Sequence, residues 1–412
     1  MMLRTRRSLA ALALSFAMAL PVEALSAEVQ TRWVGAWASA QLAPDAKNSL
    51  APEDYSNATL RQVVRLSLGG DKLRVRLSNA FGTRPLTIKT AHVAVSAALD
   101  SARIKPETDR ALTFSGRAEV TIPAGADYWS DPVALKVAPL TSLAISLRYV
   151  EAPDVQTGHP GSRATSYVLA GDHMAAADLP GAKTADRWFQ IAGVEVIPAA
   201  KKAGAIVAFG DSITDGYGVQ PNTNLRWTDA LIERLKGKNF AVLNLGIGGN
   251  RVLLDGLGPN ALARFERDVL GQPGVTHLVL LEGVNDLGTL TRDAPATPEA
   301  HKAVVEQVIA AYRQMIDRAR ARGIKVIGAT ILPYGGSAYY HPGPESEADR
   351  QAINAFIRAP GNFDGVIDWD KALRDPAKPT HLLAAYDNDG LHPNMAGYKA
   401  MAEAIPLSLF GN

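Results

Sequence analysis

From residue 28 to about 198 the apolar positions recur with period two. Leu60, Gln62, Val64, Leu66 and Leu68 fall on one face of an extended segment, and Gly69-Gly70-Asp71 supplies a turn. Leu73, Val75 and Leu77 then alternate with Lys72, Arg74, Arg76 and Ser78. The pattern predicts a hairpin with one buried face. Residues 88–95, 119–122, 133–137 and 143–149 predict further strands, punctuated by Pro and Gly, with no helical period of useful length. Runs of strands without intervening helices predict a β-sandwich over residues 28–198, of the jelly-roll kind.

The rhythm changes after residues 197–204, which read as a linker. Residues 205–209 are a short apolar run followed by a Gly-rich turn. Residues 227–235 predict a helix, 240–245 a strand and 261–270 a helix. Residues 275–281 are almost wholly apolar, as a strand covered on both faces should be. Residues 299–322 predict a long helix closed by Gly323, 325–331 a strand, 346–358 a helix, 365–368 a last strand and 395–405 a final helix. Alternating strand and helix predicts an α/β domain over residues 204–412, a parallel sheet with helices on both faces. Its ligand site should lie beyond the C-terminal ends of the strands.

The first 27 residues stand apart. Arg4, Arg6 and Arg7 precede an apolar run from Leu9 to Leu20, Pro21 breaks it, and Ser26-Ala27 offers a cleavage point. This is the pattern of a signal peptide, and it predicts a secreted or periplasmic protein. The whole chain has 43 basic and 41 acidic residues; removal of residues 1–27 takes away three arginines and Glu23 and leaves the charges balanced. Such a balance argues against a nucleic-acid partner. There is no cysteine, which excludes disulfides, thiolate nucleophiles and Cys-ligated zinc. No later segment reads as a stable membrane insertion, and nothing in the sequence sets an oligomeric state.

The residues that carry chemistry follow the predicted strands. After the first comes Gly210-Asp211-Ser212-Ile213-Thr214-Asp215-Gly216. Ser212 there either presents its hydroxyl as a nucleophile or caps the next turn. Gly-x-Ser-x-Gly occurs nowhere, which disfavours an α/β-hydrolase. After the second strand comes Gly246-Ile247-Gly248-Gly249-Asn250, a tight turn or a place where a backbone N–H meets a ligand closely. After the third, Asn285 in Gly283-Val284-Asn285-Asp286 caps a turn or offers its side-chain amide as a donor. Near the C-terminus, Asp389 stands three residues before His392. That spacing lets a carboxylate meet Nδ1–H of the imidazole and leaves Nε2 as a base, or it is a simple turn histidine.

Four signals in this order make the chain resemble the GDSL/SGNH hydrolase superfamily over residues 204–412. The family pattern is a Ser in a Gly-Asp-Ser block, a Gly, an Asn in Gly-x-Asn-Asp, and an Asp-x-x-His. Ser212, Gly249 (with Gly248 as the alternative), Asn285 and the pair Asp389/His392 stand at those positions. One departure is that Ser-Ile-Thr-Asp replaces Ser-Leu. The resemblance implies a flavodoxin-like three-layer αβα domain and a Ser212-His392-Asp389 triad. It also implies an oxyanion hole from the N–H groups of Ser212 and Gly249 and the amide of Asn285, with no metal or organic cofactor. The N-terminal β-domain is similar to one that precedes this domain in some secreted bacterial members.

The expectation is therefore a secreted serine esterase acting on short-chain esters, acetyl groups on carbohydrates first. A broad lipolytic esterase or phospholipase, an envelope polysaccharide O-acyltransferase and a catalytically dead binding protein are the alternatives. The Gly- and Tyr-rich loop 333–344 makes Tyr339 and Tyr340 candidate substrate contacts. His277 reads as a core histidine, and His92, His159, His173 and His301 have no metal-binding spacing. Asp211 and Asp286 should tie turns together, and Arg226 and Trp227 should pack more than line the site. Trp33, Trp37, Tyr128 and Trp129 are either core or a sugar-binding face.

Overall fold

Short, doubly covered apolar strands build the C-terminal half of the protein, whose computed structural model describes residues 32–411. The predicted signal peptide lies outside the described residues. The strands Phe240–Gly246, Gly204–Gly210, Val275–Leu281, Lys325–Ala329 and Gly365–Ile367 lie side by side in that order, all parallel. In chain order this is 2-1-3-4-5, the flavodoxin-like arrangement, in which the chain reverses direction of winding at the first strand.

Alternate residues of each strand enter different cores. Ala205, Val207 and Phe209 pack with Phe265, Val308, Tyr312 and Ile353 on one side. Ile206 and Ala208 pack with Trp227, Leu231, Trp369 and Met401 on the other. The helices start where the sequence provides caps: Thr297 accepts the Ala300 N–H with Pro298 in the first turn of Pro298–Arg320, and Asn394 accepts the Gly397 N–H at Met395–Glu403. The predicted helix 261–270 is α-helical over Ala261–Phe265 and then widens to a π-helix over Glu266–Leu270.

Besides a two-stranded sheet that pairs Gly158–His159 with Trp188–Phe189, the N-terminal half has two larger antiparallel sheets. One orders Val34–Ala38, Ile191–Ile197, Lys72–Ser78 and Asp127–Trp129. The other runs through Lys183–Ala185, Ser166–Ala170, Ala58–Arg65, Ser142–Tyr149 and Leu86–Val95, with Arg110–Leu112 and Val120–Ile122 both paired to the last. The predicted 60–68/73–77 hairpin does not form. Gly69-Gly70 carries the chain from one sheet to the other, so Ala58–Arg65 pairs with Ser142–Tyr149 while Lys72–Ser78 pairs with Ile191–Ile197. Nor does that first strand have only one buried face: Thr59, Arg61 and Val63, on the face opposite Leu60, Gln62 and Val64, are buried as well. Residues 133–137 make only isolated bridges at Val133 and Val137, since Pro132 and Pro139 interrupt a ladder.

The two halves share one hydrophobic core, in which Val34, Leu60 and Val194 join Leu243, Leu245 and Phe265. Polar ties run alongside it: Gly35 N–H donates to Pro273 O at 2.9 Å, Val242 N–H to Ser67 Oγ at 3.1 Å, and Arg267 to Gln41 O at 2.8 Å.

Candidate active site

Ser212 opens a single helical turn, Ser212–Asp215, directly after the first parallel strand. Asp211 caps that turn by accepting the Ile213 N–H at 2.8 Å, and Gly216 ends it in the left-handed conformation. Ser212 Oγ lies 2.8 Å from His392 Nε2. His392 Nδ1 lies 2.9 Å from Asp389 Oδ2 and 3.1 Å from Oδ1. A carboxylate only accepts, so Nδ1 carries the proton and Nε2 is the acceptor for the serine hydroxyl. The Asp-x-x-His spacing works through a closed loop: Asp389 Oδ1 also takes the backbone N–H groups of Leu391 and His392. Burial pulls the Asp389 carboxyl upward, but the hydrogen bonds from the His392 ring and backbone outweigh it and hold the group down at about 2.

Gly249 occupies the third position of the turn closed by Asn250 N–H to Ile247 O, with φ +67°. This is a type II turn, which needs a residue that accepts positive φ. Among the described residues no acceptor takes the backbone N–H of Ser212 or of Gly249. Asn285 sits in the first turn of the helix Val284–Thr291 after the third strand. Its Nδ2 donates to Asn250 O at 2.7 Å, and its Oδ1 accepts from the Tyr340 hydroxyl at 2.6 Å. The amide is thus fixed in one orientation, with one N–H left over. Ser212, Gly249, Asn285, Asp389 and His392 line one cleft of about 650 Å³.

The two loop tyrosines separate. Tyr339 is exposed beside Arg292, at the cleft rim. Tyr340 is buried in the cleft wall, and its hydroxyl donates to Asn285, so it positions a site residue. A Cβ on Gly288 would fall 2.4 Å from the Tyr340 ring, which is what a glycine in that helix permits.

Beneath the site, Arg264 is fully buried and was not singled out by the sequence. Its guanidinium donates to Gly210 O, Leu245 O, Asn250 Oδ1, Asp268 Oδ2 and Glu282 Oε1 at 2.7 to 3.2 Å. It therefore ties together the ends of the three strands that deliver Ser212, Gly249 and Asn285. Burial pushes Asp211 up to about 7 and Asp286 up to about 6, and pushes Glu282 well above the usual carboxylate range, with Asp211 adding to it. Asp286 ties turns as expected, taking the N–H groups of Val252 and Leu253.

His159, from the N-terminal half, places Nε2 2.9 Å from the buried Asp215 carboxylate and Nδ1 2.8 Å from Ala40 O. Arg226 donates to Asp215 O and to Ser162 O, and Trp227 packs edge-on against Trp369, so both are packing residues. His277 is buried between Phe240 and Phe410; burial, then Lys325, lowers it to about 4. Trp37 packs on Trp188 in the core. Tyr128 packs edge-on against Phe114 at the core, Trp33 lies under Arg74, and Trp129 donates to Glu195 and lies under Arg76, so the four aromatics do not line up on one face. Among the described residues no cluster of three or more His, Asp or Glu has metal-binding geometry, and no helix is long and apolar enough to cross a membrane.

Residues 208–400 match the model of the GDSL-like lipase/acylhydrolase family. That part of the chain is a hydrolase domain of the GDSL/SGNH superfamily, and the protein is a carboxylic ester hydrolase. Similar solved structures include a GDSL-like lipase from Bacteroides thetaiotaomicron, at 21% identity over 51% of this chain and 90% of that one, with a TM-score of 0.39. A lipolytic protein of the G-D-S-L family from Desulfitobacterium hafniense shares 23% identity over 48% and 96%, with a TM-score of 0.36. A catalytic mutant of an acetylxylan esterase from Geobacillus stearothermophilus shares 24% over 51% and 96%, with a TM-score of 0.39. Comparison with curated protein sequences finds no match.

Proposed function

We propose that the protein is an exported serine esterase that removes short acyl groups, acetyl first, from carbohydrate alcohols. The observation that carries this reading is the chain of contacts from Ser212 Oγ through His392 to Asp389, at 2.8 and 2.9 Å, inside an open cleft. His392 Nε2 takes the proton as Ser212 Oγ attacks the ester carbonyl. The oxyanion is held by the backbone N–H groups of Ser212 and Gly249 and by the free amide N–H of Asn285. His392 returns the proton to the departing alcohol, leaving Ser212 acylated. It then takes a proton from water, whose oxygen attacks the acyl carbon, and gives that proton back to Ser212 as the acid departs. Asp389 stabilises the imidazolium in both half-reactions.

Support for a short acyl group comes from the wall beyond Asn285, where Thr289, Ser337 and Ala338 are small or polar and Tyr340 closes the cleft. Residues 28–198 are taken as a β-sandwich accessory domain, of the jelly-roll kind, and residues 1–27 as a cleaved signal. A lipolytic reading rests on Leu254 and Leu257, both largely exposed, the second on the cleft itself. Esters of p-nitrophenol decide between them. The short-acyl reading expects kcat/KM to be highest for two- and three-carbon acyl chains; a steady rise to ten carbons or more favours the lipolytic one.

A further inference from the structure

We propose that the N-terminal β-half supplies the binding site for the alcohol side of the substrate, and that Arg163 is its central hydrogen-bond donor for a sugar ring. The inference rests on the esterase reading of the cleft. A second recess of about 450 Å³ adjoins the first, and the two share Tyr217, Gly248, Gly256 and Leu257 as lining. Its outer wall comes from the N-terminal half, through Pro44, Asp45, Asn48, Pro160 and Arg163.

Direction follows from the chemistry. The departing oxygen must collect its proton from His392 Nε2, so the alcohol leaves on the His392 side. Tyr217 is the residue packed there, with its ring centroid 4.2 Å from that of His392. The Arg163 guanidinium carbon lies 5.6 Å from the same Tyr217 ring. An alcohol extending past His392 therefore runs along Tyr217 into the recess that Arg163 lines.

Arg163 is held for this position at a cost. It has φ +48°, a strained conformation for a residue with a side chain. The strain is fixed by the other half of the molecule: Asn222 N–H donates to Arg163 O at 2.8 Å, and the Asn222 side chain exchanges hydrogen bonds with Thr165 at 2.9 and 2.8 Å. Yet the guanidinium makes no hydrogen bond or ion pair with any described residue, and its Nε is buried without a partner. A buried unpaired donor is costly unless a ligand satisfies it. The same recess is lined by further polar groups, the Asp45 carboxylate, whose Oδ1 accepts the Asn48 N–H, and Asn48, whose Oδ1 is held by Arg187. Donors and acceptors set together beside an aromatic ring match a polyhydroxylated ring, and an alkyl alcohol would leave them unpaired.

The test uses the full-length mature protein and two variants, Arg163→Gly and Arg163→Asn, both compatible with a positive φ. Hydrolysis of ethyl acetate and of mono-acetylated glucose, xylose and galactose is followed at constant pH. The expected result is a loss of at least ~10-fold more in kcat/KM on the best sugar acetate than on ethyl acetate, equivalent to ~1.4 kcal/mol, carried by KM. Equal losses on both ester types, or an unaltered sugar ester rate, would overturn the proposal. Binding of the free sugars to the Ser212→Ala protein, with and without the Arg163 change, gives a second readout. Weaker binding without Arg163 supports the subsite, and equal binding refutes it, whether or not ethyl acetate is turned over. Loss of all ester hydrolysis in the unmodified protein would count against the esterase reading alone.

Discussion

Removing one oxygen atom from Tyr340 tests whether the Asn285 amide is held for a purpose. Tyr340→Phe keeps the ring, which Gly288 accommodates and which packs against Tyr334 and Tyr339. It deletes the 2.6 Å hydrogen bond to Asn285 Oδ1. The bond to Asn250 O remains, so the amide loses one of its two restraints. An unmet buried acceptor is worth ~1–3 kcal/mol, part of it felt as stability and part as misorientation of the amide. If ~1–2 kcal/mol reaches the transition state, kcat falls by roughly 5- to 30-fold. Asn285→Ala, which removes the donor itself, should cost ~10²–10³ in kcat. Steady-state kinetics on p-nitrophenyl acetate should show the loss in kcat with KM little changed. The double variant closes the argument: with Asn285→Ala already in place, Tyr340→Phe should cost nothing further. An unchanged kcat in folded Tyr340→Phe, or a full independent loss in the double variant, would refute a positioning role.

Arg264→Met should destabilise the fold by ~3–5 kcal/mol in chemical denaturation, because it leaves the buried Glu282 without its guanidinium partner, leaves Asp268 with Arg267 alone, and removes the donors to Gly210 O, Leu245 O and Asn250 Oδ1; a loss under ~1 kcal/mol would contradict the account. Asp211 gives a pH prediction with a definite sign. Its carboxyl lies at about 7 in the fold, above its unfolded value, so the folded state binds the extra proton. The associated stability is complete below the unfolded value of ~4 and declines, at ~1.4 kcal/mol per pH unit, as pH rises to about 7. Asp211→Asn, whose Oδ1 can still cap Ile213, should show a smaller fall in Tm between pH 5 and pH 8 than the unmodified protein; an equal fall would place the effect elsewhere.

The parallel half was legible because its physics is local. Residues 205–209 are apolar throughout and 275–281 nearly so, as strands buried on both faces must be, and the reacting groups follow strand ends in chain order. The Asp389/His392 contact was legible for the same reason, since three residues suffice to close that loop. The antiparallel half was less so. Gly69-Gly70 looks the same whether the chain folds back beside itself or crosses to a second sheet, and only distant partners, Ser142–Tyr149 and Ile191–Ile197, decide. Arg264 was illegible because its meaning depends on three strand ends that converge only in the fold. His159 and Arg163 were illegible as site neighbours because the half that carries them reads as a separate β-domain, while the core is continuous across both. Tyr340 was noticed as an aromatic on the rim, but its burial against Asn285 could not be read from a Gly-rich loop.

The central claim is that Ser212 becomes acylated and His392 drives both half-reactions. Rapid acid quenching of the protein during turnover of p-nitrophenyl acetate, followed by peptide mass mapping, tests it directly. The account predicts one acetyl group, on the peptide carrying Ser212, absent in Ser212→Ala and formed far more slowly in His392→Ala. Ester hydrolysis that persists in Ser212→Ala, or an acetyl group accumulating on another residue while Ser212 stays free, would contradict it.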